Sequence, residues 1–149
     1  MDNKPHQPNA KTTQIMRKKL AKQAEQLDQI RAFFKTRHIL AVNTPLLSYA
    51  GVSDPYCLQW QATPYENHNP KTPPYFLQTS PEYAMKRYLA EGSGDIYQLC
   101  KAFRDDEHSP WHNIEFMMLE WYRIGFSTDQ LMDELTELID LILSIIDPH

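Results

Sequence analysis

The chain has 149 residues, of which 42% are hydrophobic, and a formal net charge of −4 at pH 7. This length and composition predict one domain with one core, and the acidic balance argues against a basic surface that binds nucleic acid nonspecifically. The two cysteines lack the spacing of metal ligands. No apolar segment reaches the ~20 residues that span a bilayer, and the N-terminus lacks a signal-peptide core. We therefore expect a cytoplasmic protein with reduced thiols.

The N-terminal part of the chain predicts one helix and one short strand. Residues 1–13 are polar and contain two prolines, which is typical of disorder. Residues 14–37 place apolar side chains at three- and four-residue spacing, which predicts a helix. Its apolar stripe contains Leu20, Ala24, Leu27, Ile30 and Phe34. A strand is expected at 39–42, and it ends before Pro45 because proline lacks an amide donor.

The middle of the chain predicts an irregular segment up to residue 74, with short strands around 56–61, and then a strand at 75–78. The following Ser80, Pro81 and Glu82 are typical of a helix start, with serine at the N-cap, proline at the first helical position and an acid in the first turn. This pattern predicts a second helix that ends at the glycines of the sequence EGSG.

Near the C-terminus, Ser127 with Gln130 three positions later is typical of a capping box. Apolar residues follow at helical spacing, which predicts a last helix with its own stripe. The stripe contains Leu131, Leu135, Leu138, Ile142 and Ile145.

Two segments rich in aromatic and aliphatic residues, 96–104 and 114–123, flank the polar sequence DDEHSPWH and predict a long β-hairpin. Alternation places Glu120 and Tyr122 on a largely apolar face, and Arg104 at the end of the other strand. A buried carboxylate needs a partner, so Glu120 is a candidate for holding a cationic ligand group, and the donors of Arg104 suit a phosphate or a carboxylate. On pattern alone, the alternative is that Arg104 and Glu120 pair with each other across the hairpin.

Three segments resemble class II aminoacyl-tRNA synthetases in order and spacing. IRAFFKTRHILAVNTPLLS, at about 30–48, is similar to motif 1, and FRDDEHSPWHNIEFMMLEWY, within 96–123, is similar to motif 2 of the lysine-specific branch. Between them, YFLQTSPEYAMKRYLAEGSGDIYQLCKAFR is similar to the segment that leads into motif 2. The sequence LEWYR most resembles the paralogues of that branch that attach (R)-β-lysine to translation elongation factor P.

The resemblance covers about residues 14–146 and implies an α+β domain, the N-terminal half of a class II catalytic core with an antiparallel sheet and flanking helices. The family's motif 3, a glycine-rich strand and helix with a second ATP-binding arginine, has no counterpart in these 149 residues. The domain expected at 14–149 would therefore lack the half that motif 3 provides.

For the nucleotide, the resemblance implies that Arg104 is the catalytic residue that contacts the α-phosphate of ATP. It also implies that Asp105 and Asp106 begin the loop at the adenine end, that Asn113 makes a further nucleotide contact and that Phe116 stacks under the adenine. Mg²⁺ is expected on the phosphates rather than on protein ligands. Ser109, Pro110 and Trp111 stand where relatives usually have Arg or Gly, so a basic contact to the γ-phosphate is missing.

For the amino acid, the resemblance implies a pocket that contains Ser80, Pro81 and Glu82, in which Glu82 meets the α-ammonium group. Glu120 and Tyr122 would hold the side-chain amine. The structural alternatives are that Glu82 only interacts with the helix dipole and that Tyr122 is a core tyrosine with a satisfied hydroxyl.

The implied reaction is ATP-dependent activation of (R)-β-lysine or lysine to an adenylate, followed by transfer to a lysine of elongation factor P. The resemblance also implies a homodimer formed through the motif 1 region, with neither tRNA nor a membrane as partner, and the lack of motif 3 predicts a truncated and inactive form. Two alternatives remain. One is a catalytic fragment of a lysyl-tRNA synthetase, and the other is a non-catalytic truncated paralogue that acts as a dimerisation or regulatory module.

Overall fold

The computed structural model describes residues 9–64, 73–105 and 110–146. The chain divides into two compact units, Met1–Arg37 with Phe126–His149, and His38–Gly125. The elements in chain order are α1 (Ala10–Thr36), β1 (Leu40–Ala41), β2 (Leu47–Ser48), β3 (Gln61–Ala62), β4 (Tyr75–Leu77), α2 (Glu82–Ala90), β5 (Ile96–Phe103), β6 (Glu115–Tyr122) and α3 (Thr128–Ile146). Helices combined with mixed sheets confirm the predicted α+β class.

Both helices of the first unit begin at a polar cap. Asn9 caps α1, since its Oδ1 accepts a hydrogen bond from the amide of Lys11 at 3.0 Å. The helix therefore starts at Ala10, and the disorder predicted for residues 10–13 is wrong, while residues 1–8 lie outside the described residues. At α3 the predicted capping box is confirmed, because Ser127 N donates to Gln130 Oε1 at 2.8 Å and Gln130 N donates to Ser127 Oγ at 3.3 Å.

The C-terminal half of α1 packs with α3. Phe34 of α1 and Leu138 of α3 are fully or almost fully buried, at 0% and 2% exposure. Arg37 closes this end of α1, since its guanidinium lies 3.4 Å from the ring centroid of Phe33 and pairs with Glu134 and Glu137. Leu20, in the N-terminal half of the predicted stripe, is 57% exposed. Among the residues that the structure describes, only the C-terminal half of that stripe is covered.

The second unit contains two three-stranded sheets, in the orders β1-β5-β6 and β2-β4-β3. β5 and β6 pair antiparallel over eight residues, from Ile96 opposite Tyr122 to Phe103 opposite Glu115, which confirms the predicted hairpin. β1 runs parallel to β5, with Leu40 opposite Ile96, so the expectation of an antiparallel sheet is wrong for this pair. The second sheet is antiparallel throughout.

The segment after β4 joins the second sheet to the first. Phe103 N donates to Gln78 O at 2.9 Å, which brings the end of β4 against the end of β5. Helix α2 then begins one residue later than predicted, with Pro81 at the N-cap. Ser80 nevertheless accepts a hydrogen bond from the amide of Glu82 at 3.0 Å, so its hydroxyl still satisfies one of the free amides of the helix start.

Candidate active site

A cavity of about 400 Å³ lies in the unit His38–Gly125, beside the segment that joins β4 to α2. Four of the residues predicted for the site contribute to its wall: Ser80, Pro81, Glu82 and Arg104. Sequence reasoning missed Thr79 and Arg87, which also line it. Arg87 lies five positions after Glu82 on α2, a spacing that does not place two side chains on one helix face, so no local pattern pointed to it.

Arg104 follows β5 directly and is held from two sides. Its Nε donates to the carbonyl of Thr79 at 3.3 Å, and its guanidinium carbon lies 5.5 Å from the ring centroid of Phe116. The predicted alternative, an ion pair between Arg104 and Glu120, is wrong because Glu120 is bound by other residues. Arg104 therefore presents a fixed positive charge to the cavity.

The carboxylate of Glu120 accepts two short hydrogen bonds. Ser80 Oγ donates to Glu120 Oε2 at 2.7 Å, and the hydroxyl of Tyr122 donates to Glu120 Oε1 at 2.6 Å. Burial, together with the neighbouring carboxylate, raises the pKa of Tyr122 well above its usual value, so the phenol remains a donor. The three side chains form a cluster in which each carboxylate oxygen has a defined partner, and we call it the Glu120 clamp.

Glu82 lies in the first turn of α2, and its carboxylate binds an ammonium group within the chain. Lys86 Nζ lies 2.5 Å from Glu82 Oε1, and both side chains are about half exposed. Lys86 Nζ donates a hydrogen bond to this carboxylate, and the interaction raises the pKa of Lys86. The carboxylate is thus placed where it can bind an amine, and the helix-start role is equally compatible with its position.

The remaining predicted nucleotide residues are spread along the hairpin. Asp105 is exposed, and its amide donates to Leu58 O at 3.0 Å. Asn113 is exposed and Phe116 is half-buried beneath Arg104. Asp106 and Ser109 lie outside the described residues, so the loop that the resemblance implies at the adenine end is described only at its two sides.

The described residues contain neither a cluster of metal-binding side chains nor a membrane-spanning helix. Within 9–64, 73–105 and 110–146, no three His, Cys, Asp or Glu side chains come together as a group that could hold a metal ion. None of the helices in these ranges combines the length and the apolar character needed to cross a membrane.

The arrangement of these sheets and helices defines the catalytic-core fold of class II synthetases. Asparaginyl-tRNA synthetase from Pyrococcus horikoshii, solved in complex with asparaginyl-adenylate, matches with a TM-score of 0.71 over 85% of this chain and 27% of the other, at 15% identity. The family model of class II tRNA synthetases (D, K and N) matches residues 9–148. The chain belongs to this family.

Among curated relatives, the chain is similar to elongation factor P–(R)-β-lysine ligases. It is 46% identical over 143 residues to the Vibrio cholerae protein, a match that covers 96% of this chain and 43% of the relative. It is 48% identical over 126 residues to the Pseudoalteromonas translucida protein, which covers 85% of this chain and 39% of the relative. The chain thus spans 39–43% of the length of these relatives.

Proposed function

We propose that the protein containing this chain activates (R)-β-lysine or lysine with ATP and transfers it to a lysine of translation elongation factor P in the cytoplasm. The Glu120 clamp, linked through Ser80 to the cavity that Arg104 lines, is the observation that carries the proposal. The names of the relatives support the same reaction and the same protein substrate.

The substrate's amines would be bound by carboxylates. The clamp fixes Glu120 between two donors, so its charge is preorganised for a cation and needs little rearrangement on binding. Glu82 supplies a second carboxylate at the start of α2, where Lys86 Nζ already occupies one oxygen. Lysine and β-lysine each carry two ammonium groups, which is the chemistry that two separated carboxylates select.

The nucleotide would be bound by Arg104. In adenylate formation, a carboxylate oxygen of the amino acid attacks the α-phosphorus, the bond from that phosphorus to the bridging oxygen breaks, and pyrophosphate leaves. Negative charge accumulates on the α-phosphoryl oxygens, and a guanidinium held by Thr79 and Phe116 stabilises it without reorganisation. The nucleophile is already an anion, so this step needs no general base.

The hairpin would supply the other nucleotide contacts. We assign the adenine to Phe116, and further nucleotide contacts to Asp105, Asp106 and Asn113. Mg²⁺ would be held by the phosphates of ATP, whose hard oxygens it prefers, and would neutralise the leaving pyrophosphate. In the second step the ε-amine of the acceptor lysine attacks the adenylate carbonyl and AMP leaves.

The motif 1 region, together with the part of α1 that precedes it, would form a homodimer. Leu20 and Met16 of α1 are 57% and 56% exposed, and a second copy is the occupant that the family resemblance implies. Because the chain spans only 39–43% of the length of its relatives, we also propose that the 149-residue polypeptide is inactive by itself.

The test uses the full-length gene product in ATP–pyrophosphate exchange with (R)-β-lysine and with lysine, followed by mass spectrometry of elongation factor P. We expect exchange with both amines and an added β-lysyl group on the factor. Arg104→Ala should reduce exchange by at least about a hundredfold, as loss of one charge-stabilising donor does elsewhere. Arg31→Ala is the matched control, because Arg31 lies on α1, in the other unit, and pairs with Asp28 of the same helix at 3.0 Å.

Equal exchange by the Arg104→Ala and Arg31→Ala proteins would contradict the proposal. Aminoacylation of tRNA instead of elongation factor P would favour lysyl-tRNA synthetase, which the family model also includes. A full-length protein that exchanges with neither amine would favour the non-catalytic module.

A further inference from the structure

Two buried polar residues outside the cavity wall bind each other. Thr44 and Gln98 are 4% and 1% exposed, and neither lines the cavity. Thr44 N donates to Gln98 Oε1 at 3.1 Å, and Gln98 Nε2 donates to Thr44 Oγ1 at 3.0 Å. Polar groups at this depth are costly unless they are satisfied, and these two residues satisfy each other.

The direction of every bond in this group is fixed. A backbone N–H can only donate, so Gln98 must turn its oxygen to Thr44 N and its amino group to the Thr44 hydroxyl. The hydroxyl then has its own proton left for Gln78 Oε1, 3.5 Å away. Gln78 Nε2 in turn donates to Lys101 O at 2.8 Å, so the chain of bonds begins and ends on β5. We call Thr44, Gln78 and Gln98 the amide relay.

The relay reaches the proposed site through three consecutive residues. The side chain and carbonyl of Gln78 bind β5, the carbonyl of Thr79 accepts from Arg104 Nε, and Ser80 Oγ donates to Glu120. A change in the position of Gln78 therefore moves both the carbonyl that holds Arg104 and the hydroxyl that holds Glu120.

Gln98 also lies directly opposite Glu120 in the β5–β6 register, on the same face of the sheet. A neutral amide keeps this face free of a second negative charge. A carboxylate at position 98 would face Glu120 directly, and the two like charges would repel each other.

We propose that Thr44 and Gln98 are positioning residues for the adenylation reaction. Through Gln78 they fix the positions of the Thr79 carbonyl and the Ser80 hydroxyl. These two groups in turn hold the charged side chains of Arg104 and Glu120 in place. The expected change in KM rests on the proposed function. The expected change in the position of Arg104 rests on the hydrogen bonds of the relay alone.

The kinetic test compares Thr44→Val, which replaces the hydroxyl with a methyl group, with Thr44→Ser, which keeps the hydroxyl, in the full-length protein. We expect Thr44→Val to raise the KM for the amine about tenfold in pyrophosphate exchange, which corresponds to about 1.4 kcal/mol and to the loss of one buried hydrogen bond. Thr44→Ser should stay within about twofold of the unmodified protein. Thr36→Val is the matched control, because the Thr36 hydroxyl donates to Phe33 O at 3.0 Å in the other unit.

A merely structural role gives a different result, because partial unfolding lowers the amount of active enzyme and leaves KM unchanged. An unchanged amine KM in Thr44→Val, or equal losses in the valine and serine variants, would overturn the proposal. If Thr44→Val does not fold, Gln78→Met replaces it, since Gln78 is only half-buried and carries the last step of the relay.

A second readout keeps this proposal separate from the proposed function. The Arg104 Nε–H signal in ¹H–¹⁵N NMR needs no substrate, and we expect it to be protected from solvent exchange in the unmodified protein and in Thr44→Ser. In Thr44→Val or Gln78→Met it should shift and lose protection. If the unmodified protein shows no ATP–pyrophosphate exchange with either amine, the proposed function fails, and this NMR signal alone decides the positioning role. An unchanged signal in the variants would overturn it.

Discussion

Ser80 Oγ lies 2.7 Å from Glu120 Oε2, and this bond joins the start of α2 to the middle of β6. The same hydroxyl oxygen accepts a hydrogen bond from the amide of Glu82 at 3.0 Å. One serine therefore links the backbone of Glu82 to the carboxylate of Glu120, the two acidic residues that we assign to the amine substrate. This geometry explains why a helix-start residue can be part of a ligand site.

The first prediction concerns Glu82 in the full-length protein. Glu82→Gln replaces a carboxylate with a neutral amide, and a hydrogen bond to a charged group is worth about 1.5–3 kcal/mol. The side chain of Glu82 is 44% exposed, so we expect the lower end of that range and a rise of roughly tenfold in the KM for lysine.

Lys86→Gln is the control for Glu82, since it removes the other end of the same ion pair and leaves the carboxylate in place. We expect the KM for lysine to stay unchanged or to fall in this variant. An unchanged KM in Glu82→Gln, together with a lowered melting temperature, would assign Glu82 to the helix-start role alone.

The second prediction concerns alkaline pH. Folding raises the pKa of Tyr122 above its ordinary value of 10.0, because the phenol is buried and donates to Glu120. Above pH 10 the unfolded chain loses this proton while the folded chain keeps it, so the stabilisation is complete below pH 10 and declines as pH rises. The slope approaches about 1.4 kcal/mol per pH unit for one proton.

The measurement is urea unfolding of the unmodified chain and of Tyr122→Phe at several values between pH 8 and pH 11, with the ordinary value of 10.0 inside the range. We expect the difference in unfolding free energy between the two proteins to shrink as pH rises. Tyr56→Phe is the control, since Tyr56 is 92% exposed. A difference that stays constant with pH would mean that Tyr122 titrates alike in the folded and unfolded states.

Features of the site that depend on residues close together in the sequence could be predicted. The hairpin and the face shared by Glu120 and Tyr122 follow from alternation within ten residues, and both are seen. The helix start at Asn9 could also have been read locally, because asparagine is a preferred N-cap. The predicted disorder gave too much weight to the two nearby prolines.

The rest depends on contacts between distant parts of the chain. β2 contains only Leu47 and Ser48, and it exists because these residues pair with β4 about thirty positions later. The amide relay likewise joins Thr44 to Gln98 across 54 positions. Alternation places Gln98 on the same face of its strand as Arg104. Its partner Thr44 could not be identified without the register of β1 on β5.

The third prediction concerns the two thiols, both of which are free. Burial raises the pKa of Cys100, which is 8% exposed, so little reactive thiolate forms there at pH 8. Cys57 lines the cavity and is half-buried. With iodoacetamide at about pH 8 we expect Cys57 to be alkylated first, as followed by mass spectrometry of the digested chain.

Unfolding in urea is the control for the thiols, because both should then react at similar rates. Cys57→Ser should abolish the fast phase and leave the slow one. Equal rates for the two cysteines in the folded chain would show that the surroundings of Cys100 open readily. This result would conflict with the structure, in which Gln78 Nε2 donates to the Cys100 sulfur at 3.3 Å.

The last prediction concerns association of the 149-residue polypeptide. The N-terminal half of α1 exposes Ile15, Met16 and Leu20 by 50–57%, whereas Phe34 further along the helix is fully buried. Covering one leucine is worth about 1.5–3 kcal/mol, so a second copy laid along the N-terminal half of α1 gains stability from each of these three side chains. We expect a concentration-dependent dimer or soluble aggregate in size exclusion coupled to light scattering. Leu20→Asp should shift the chain to monomer, while Gln23→Asp, an exposed polar position on the same helix, should not. A compact monomer that melts cooperatively at high concentration would contradict the dimer and favour the view that these residues form an independent module.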